Sequence, residues 1–254
     1  MANITGDANA NLIFGDQSDA LAPTPQNFID SQNSADNLQG ALGSDTIYGL
    51  GGNDLIFGNQ DNDVLNGDTG DDRIFGGLNN DTVIGGAGND QLTGNQGSDF
   101  IFGLDGNDII PGSEEDDFIV GGDGNDILNG NSGSDRVVGG EGNDLLDGGE
   151  IVAGVTNVDV LTGGNGADKF RLRPANQTLT ITDYQDGTDK MIIFNPAPEV
   201  LADGGAPVTA ADITPKAQGA DTVLEFIDVN GDPLTIALLQ NVAPTSIEAT
   251  DFTI

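Results

Sequence analysis

From residue 36 to residue 148, apolar side chains return on a nine-residue beat. Leu38, Ile47, Ile56, Leu65, Ile74 and Val83 begin the series and Leu146 closes it. Each stands two places after an aspartate: Asp36, Asp45, Asp54, Asp63, Asp72, Asp81, Asp90, Asp99, Asp108, Asp117, Asp126, Asp135 and Asp144. Glycines keep the same interval, from Gly40 and Gly49 to Gly148. In each unit, six residues such as Gly49-Leu50-Gly51-Gly52-Asn53-Asp54 are turn chemistry, because Gly, Asn and Asp tolerate positive φ. The next three, Leu55-Ile56-Phe57, read as a short strand whose middle residue points inward while its neighbours point out. Nine residues cannot bury a core alone, so a unit is one layer of a stack. Two units make a flattened 18-residue coil. Strands of successive coils pair in parallel about 4.8 Å apart, and roughly seven coils give a rod on the order of 33 Å long.

The beat divides the chain. Residues 1–35 hold degenerate copies, such as Asn11-Leu12-Ile13-Phe14-Gly15, and a loop over Pro23–Gln32. Residues 36–172 are the array. Its spacing slips once, near 150–157, where six extra residues separate Asp144 from Asp159; Asp159-Val160-Leu161 and Asp168-Lys169-Phe170 then resume it. A slower echo of 36 residues links Asn59-Gln60, Asn95-Gln96 and Asn131-Ser132. In residues 173–254 glycine thins out and β-branched runs appear at Thr178–Thr182, Lys190–Phe194, Thr222–Val229 and Leu234–Leu239, with turn signals between them. This part reads as a β-rich cap, and the whole chain as all-β.

An 18-residue coil sorts the aspartates into two columns. One holds Asp54, Asp72, Asp90, Asp108, Asp126 and Asp144; the other holds Asp45, Asp63, Asp81, Asp99, Asp117 and Asp135. Stacked carboxylates about 5 Å apart repel by roughly 3 kcal/mol per pair at an effective dielectric of 20. The inward aliphatics fall far short of offsetting both that repulsion and the ordering of a glycine-rich chain. A divalent cation between coils turns each repulsive pair into a shared ligand set, and its binding free energy becomes folding free energy. The donors are all oxygen: the Asp ladder with Asp159 and Asp168, and loop carbonyls, for which Gly49, Gly51, Gly67, Gly85, Gly103, Gly121 and Gly139 are the candidates. Such a set suits a hard ion, and many oxygens from pliant loops suit Ca²⁺ better than Mg²⁺.

Composition narrows the alternatives. The 254-residue chain carries a formal charge of −35 with seven Lys and Arg, which argues against nucleic acid or an anionic membrane as partner. With no Cys and no His, there is no disulfide framework, no zinc site of the usual kind and no Ser-His or Cys-His nucleophile pair. The N-terminus lacks the basic start and apolar run of a Sec-type signal peptide, and no stretch approaches the ~18 apolar residues of a membrane span. The expectation is a protein that is not an enzyme.

Gly86-Ala87-Gly88-Asn89-Asp90-Gln91-Leu92-Thr93 and Gly122-Asp123-Gly124-Asn125-Asp126-Ile127-Leu128-Asn129 resemble the G-G-x-G-x-D-x-U-x nonapeptide of RTX, or haemolysin-type, calcium-binding proteins. The resemblance covers about half the chain. It implies a right-handed parallel β-roll with on the order of ten Ca²⁺ ions held between successive loops. The segments Ala167-Asp168-Lys169-Phe170 and Ile181–Ile192 are similar to the region after the roll in type I secreted proteins, and Asp251-Phe252-Thr253-Ile254 is similar to the terminus of exported RTX proteases, with Thr253 departing from the all-apolar form. The resemblance implies export by a type I secretion apparatus through an uncleaved C-terminal signal. It further implies an extracellular or cell-surface protein that folds on meeting calcium, structural in role, or alternatively a carbohydrate-binding or adhesion module facing polysaccharide or a cell surface.

The two columns differ at the fourth loop position. The first has Gly52, Gly70, Gly88, Gly106, Gly124 and Gly142; the second has Gly43, Asp61, Asn79, Gly97, Glu115 and Gly133. Positive φ there suits Gly and is uncomfortable for Glu. The first column is therefore expected to be the more regular edge, and the second least regular at Ser113–Asp117. The outward positions after the second column are apolar (Tyr48, Val64, Ile84, Phe100, Phe102, Phe118, Val120, Val138), a face expected to be covered by the cap or residues 1–35, or else to bind a partner.

Overall fold

The structure is a computed structural model that describes residues 12–14, 27–28, 35, 37–149, 157–173, 178–185, 187–193, 213–227 and 233–253. Short strands follow one another along the array: β1 (Leu12–Phe14), β2 (Asn27–Phe28), β3 (Asn37–Ala41), β4 (Thr46–Tyr48), β5 (Leu55–Asn59), β6 (Val64–Thr69), β7 (Arg73–Leu78) and β8 (Thr82–Ala87). They continue as β9 (Gln91–Gln96), β10 (Phe100–Asp105), β11 (Ile109–Glu114), β12 (Phe118–Asp123), β13 (Ile127–Ser132), β14 (Arg136–Glu141), β15 (Leu145–Asp147), β16 (Val158–Asn165) and β17 (Lys169–Leu172). The last are β18 (Thr178–Ile181), β19 (Lys190–Ile193), β20 (Ile213–Gln218), β21 (Asp221–Ile227), β22 (Pro233–Leu239) and β23 (Phe252–Thr253).

Odd-numbered strands β1 to β19, followed by β23, form one 11-stranded sheet. Even-numbered strands β2 to β18, followed by β22, β21 and β20, form a 12-stranded sheet. Within the array every pairing is parallel and shifts by one coil, as in Ile56↔Ile74 and Ile101↔Ile119. The result is a parallel β-roll of about eight turns. The inward column runs down the middle without a gap: Leu38, Ile47, Ile56, Leu65 and their successors to Leu161 and Phe170 are at most 1 % exposed.

The strands are longer than the three residues that periodicity suggests. β6, for example, continues through Gly67-Asp68-Thr69. The reason lies in the first glycine of each unit. It is the second inward position of the strand, and it is glycine for want of space. A Cβ on Gly85 would stand 2.9 Å from the Gly103 carbonyl oxygen of the next coil and closer still to the Asp90 carboxylate. Positive φ is needed elsewhere, at the second loop position, where Gly86 has φ 124° and Leu104 φ 82°, and at the fourth, where Gly88 has φ 148° and Glu115 φ 70°.

The roll extends past the array at both ends. Ile13 pairs with Leu38, so the degenerate copy is a real rung, and Asn27–Phe28, within the segment read as a loop, pairs with Ile47–Tyr48. The six-residue insertion leaves the register intact on its far side, where Val137 faces Leu161. Beyond Leu172 the sheets gain another rung, Ile181 on Leu161 and Met191 on Phe170. The antiparallel ribbon β20-β21-β22 then joins through β22 to β18, and Phe252 pairs with Met191. These C-terminal strands lengthen the sheets edge to edge. They do not lie across the apolar outward face, where Phe100 stays 54 % exposed; the remainder of residues 1–35 is outside the described residues. Ile101→Ala in the middle of the inward column is expected to cost about 2–5 kcal/mol, read as a lowered Tm of the calcium-saturated chain; an unchanged Tm would contradict a packed single-file core.

Candidate metal centre

Each aspartate sits just before a strand, where the chain turns from loop into sheet. Its side chain folds inward beneath the loop. Asp54, Asp63, Asp72, Asp81, Asp90, Asp99, Asp108, Asp117, Asp126, Asp135 and Asp144 are 1–3 % exposed, and Asp159 and Asp168 are fully buried. Asp45 is half-buried, and Asp36 lies outside the described residues.

The two oxygens of each carboxylate have different fates. Oδ1 accepts the backbone N–H of the aspartate one coil earlier: Asp54 N–H donates to Asp72 at 2.7 Å, Asp72 to Asp90 at 2.8 Å, and Asp90 to Asp108 at 2.8 Å. The second column repeats this from Asp45 N–H to Asp63 (2.7 Å) through Asp99 to Asp117 (2.9 Å). Across the insertion the bonds persist, Asp135 to Asp159 at 2.9 Å and Asp144 to Asp168 at 3.0 Å. Oδ2 is another matter. In Asp45, Asp63, Asp72, Asp81, Asp90, Asp99, Asp108, Asp117, Asp126, Asp135, Asp144 and Asp168 it is buried without a hydrogen-bond partner among the described residues. A buried, unsatisfied carboxylate oxygen costs several kcal/mol or more unless something answers its charge.

Backbone carbonyls stand beside these oxygens. The space that a Cβ on Gly121 would fill is bounded by the Asp126 carboxylate and, at 2.8 Å, the Gly139 carbonyl oxygen; Gly49 and Gly67 stand likewise at Asp54. Gly49, Gly67, Gly85, Gly103, Gly121 and Gly139 thus form one buried row beneath the first aspartate column. Gly51 is set apart: it is buried, bridges to Thr69, and donates its N–H to Gly49 O at 3.1 Å. Among the described residues no three carboxylates gather at one point, so an ion held here takes most of its oxygens from the backbone. All-oxygen donors, two rows of orphaned anionic atoms and adjacent carbonyls fit a hard divalent cation, and Ca²⁺ before Mg²⁺.

Without a cation, burial biases the carboxyls towards holding protons. Burial, helped by neighbouring carboxylates, raises Asp63, Asp81, Asp90, Asp135 and Asp144 from an ordinary 3.8 to about 7. The same causes take Asp45 to about 6 and Asp117 to about 8, although the N–H donated by Asp99 pulls Asp117 the other way. Burial also raises Asp99 and Asp108 to about 6, and raises Asp72, Asp126 and Asp168 as well.

The columns differ as their loops suggest. In the first, the N–H at the fourth loop position always donates to a carbonyl of the next coil, from Gly52 to Thr69 (2.9 Å) to Gly142 to Asn165 (2.8 Å). A carboxamide ladder backs it: Asn107 and Asn125 each donate backbone and side-chain N–H groups to the Asn one coil before, at 2.8–3.0 Å. At two positions of the second column a side chain replaces that carbonyl. Gly43 N–H donates to Asp61 Oδ2 (2.9 Å) and Gly97 N–H to Glu115 Oε2 (2.8 Å), with Asp61 and Glu115 held at φ 71° and 70°. These extra anions are among the causes that raise Asp45, Asp63, Asp99 and Asp117.

Sequence reading misses the end of the ladder. Asp168 N–H donates to Asp189 Oδ1 (3.0 Å), so Asp189 is the next rung of the first column. Its Oδ2 accepts Gln185 N–H (2.8 Å), which closes the row with a protein donor instead of an orphan. The signal was present, since Met191 stands two places after it, but a 21-residue step hides it. Asp183 closes the glycine row of the same edge by accepting the N–H groups of Gly163 and Gly164, both at 2.8 Å.

The raised values set the sign of the pH dependence. A carboxyl whose folded pKa exceeds its unfolded value stabilises the metal-free roll below pH ~4, and that contribution is lost as pH rises through 6–8. Calcium must displace those protons. Proton release on adding calcium in weakly buffered solution is therefore expected at pH 6.5, dwindling towards pH 9; release that is absent at both values would contradict protonated ladders. Asp90→Ala is expected to weaken calcium-induced folding more than Asp99→Ala, followed by circular dichroism during calcium titration. Equal losses would remove the distinction between columns.

The family profile described as the RTX calcium-binding nonapeptide repeat (4 copies) matches residues 32–65, 57–92, 75–110, 84–119, 111–146 and 146–172, together more than half of the chain. No curated protein matches significantly. Among solved structures, the extracellular lipase of Serratia marcescens is similar at 18% identity and TM-score 0.37, over 89% of this chain and 40% of the lipase. A subunit of the Azotobacter vinelandii mannuronan C5-epimerase is similar at 24% identity and TM-score 0.26, over 59% of this chain and 80% of that one. The chain thus spans well under half of the lipase. With its nonapeptide array matched from end to end and its aspartates stacked in two buried rows, the chain belongs to the RTX calcium-binding nonapeptide-repeat family.

Proposed function

We propose that this calcium-binding roll is exported by a type I secretion apparatus and folds outside the cell on meeting calcium, serving there as a structural or cell-surface element and not as an enzyme. The observation that carries this reading is the run of orphaned Asp Oδ2 atoms from Asp63 to Asp144. Bound calcium would supply the positive charge that these rows lack. The chain's own part is to bury one oxygen of each carboxylate, tie the other to the preceding coil, and bring Gly67, Gly85, Gly103, Gly121 and Gly139 alongside.

Cytosolic calcium is far below the ~10⁻⁴–10⁻³ M at which extracellular modules bind. The chain would therefore stay unfolded and threadable until it crosses the envelope. The segment after the roll supports export by its resemblance to type I secreted proteins. In the folded chain its end is used structurally: Asp251 is buried, accepts Glu248 N–H at 2.7 Å, lies 3.7 Å from Lys190, and leads into β23. The absence of His and Cys supports a role without nucleophilic catalysis. A polysaccharide or cell-surface partner is the second reading, favoured by an open aromatic groove on the odd-numbered sheet.

Expression in a host with and without a type I exporter tests the proposal. The full chain is expected in the medium only when the exporter is present, and deletion of residues 249–254 is expected to hold it inside. Release that ignores both the exporter and the deletion would overturn the export reading.

A further inference from the structure

The outward face of the odd-numbered sheet changes character between β5 and β11. Phe57 and Phe75 are register partners, and their rings stack at 5.1 Å with an interplanar angle of 10°. The next two coils put the smaller Thr93 and Pro111 in that column. Beside it runs the column Asn59, Gly77, Asn95 and Ser113, in which Gly77 leaves a notch between two carboxamides. The step from large to small side chains opens a groove of about 560 Å³, within the ~300–1,000 Å³ usual for small-molecule sites. Phe75, Leu78, Asn95, Gln96, Ser113 and Glu114 form much of its wall.

Asn59 donates its carboxamide N–H to Phe57 O at 3.5 Å, but the other side-chain amides of this groove are not spent on the fold. Elsewhere on the roll, outward amides pair internally: Asn66 Nδ2 donates to Asp68 Oδ1 at 2.9 Å, and Asn129 Nδ2 to Asn131 Oδ1 at 2.8 Å. The carboxamides of Asn95 and Gln96 make no hydrogen bond among the described residues, although Asn131-Ser132 repeats their position 36 residues later with its amide committed to Asn129. Charge is sparse in the groove: Glu114 is the one ionisable residue of its wall, on a chain whose net charge is −35.

We infer that this groove binds a neutral glycan. A pyranose has an apolar C–H face, which the phenylalanine pair accepts, and a rim of hydroxyls, each both donor and acceptor. Carboxamides, a serine hydroxyl and one carboxylate match that rim. A purely apolar partner would bury Asn95 and Gln96 without answering them. A polyanionic partner would meet Glu114 and the charge of the whole roll. The inference deepens the cell-surface reading and rests on the calcium-loaded roll, not on the route of export.

The test is isothermal titration of the full calcium-saturated chain with cellohexaose, mannohexaose, xylohexaose and, as comparator, oligomeric uronate. At least one neutral oligosaccharide is expected to bind. Phe75→Ala and Gln96→Ala should each weaken it about tenfold or more, and Thr93→Phe, which extends the stack into the groove, should abolish binding. The calcium-induced circular dichroism should stay unchanged in all three variants. If Phe75→Ala loses that calcium response, Gln96→Ala and Thr93→Phe carry the test. No neutral binding at millimolar ligand, binding of uronate alone, or binding indifferent to the variants would overturn the inference. So would a dimer that Phe75→Ala dissociates with no change in glycan affinity. Failure of the calcium reading would show separately, as a parent chain without a calcium response.

Discussion

The structure depends on one arrangement: a carboxylate buried directly above another carboxylate, repeated at every coil along both edges of the roll. Among the described residues nothing else repeats a charge at every coil. The inward aliphatics stand in single file, one per strand, and the glycines between them bury no side chain. The ladder bonds to Oδ1 fix the aspartates in place but, from Asp63 to Asp144, leave Oδ2 beside a carbonyl. Two oxygens that both seek positive charge and receive none are a costly pair in a protein interior. The fold therefore has two ways to settle, by binding cations or by taking up protons, and burial raises the ladder carboxyls in the direction of the second.

Glycine serves this arrangement in a way that turn chemistry alone does not reveal. The first glycine of the unit has no Cβ because the carboxylate and the next coil's carbonyl occupy that space. The same residue that weakens the chain as a core former is what lets anion and carbonyl approach each other. At the fourth position the constraint is backbone conformation instead. Glu115 and Asp61 accept that strain, and each uses its carboxylate to hold the amide of the coil before it.

Much of this was legible in the residues. The inward column, the two aspartate columns, the parallel pairing and the oxygen-only donor set all follow from a strict nine-residue period, which leaves few alternatives. Less legible were features that depend on what one coil presents to the next. The carboxamide ladder through Asn89, Asn107 and Asn125 is visible only when residues 18 apart are placed in contact. Asp189 closes the first column from beyond a changed spacing, and Asp183 closes the glycine row of that same edge through two backbone amides. The short strand Asn27–Phe28 lies where prolines and a broken period point to a loop, and pairing with Ile47–Tyr48 overrides that local signal. The groove beside Phe75 exists through contrast between neighbouring coils, Phe against Thr and Asn against Gly, and no single repeat contains it.

The central claim is that cations, and not the aliphatic file, hold the coils together at neutral pH. The most direct measurement is the far-UV spectrum and hydrodynamic radius of the purified chain at pH 8 before and after a chelator strips its divalent ions. The account predicts loss of the β signal and expansion towards unfolded dimensions, both reversed by calcium and not by equal concentrations of magnesium. A chelated chain that keeps its spectrum and compact radius at that pH would contradict it.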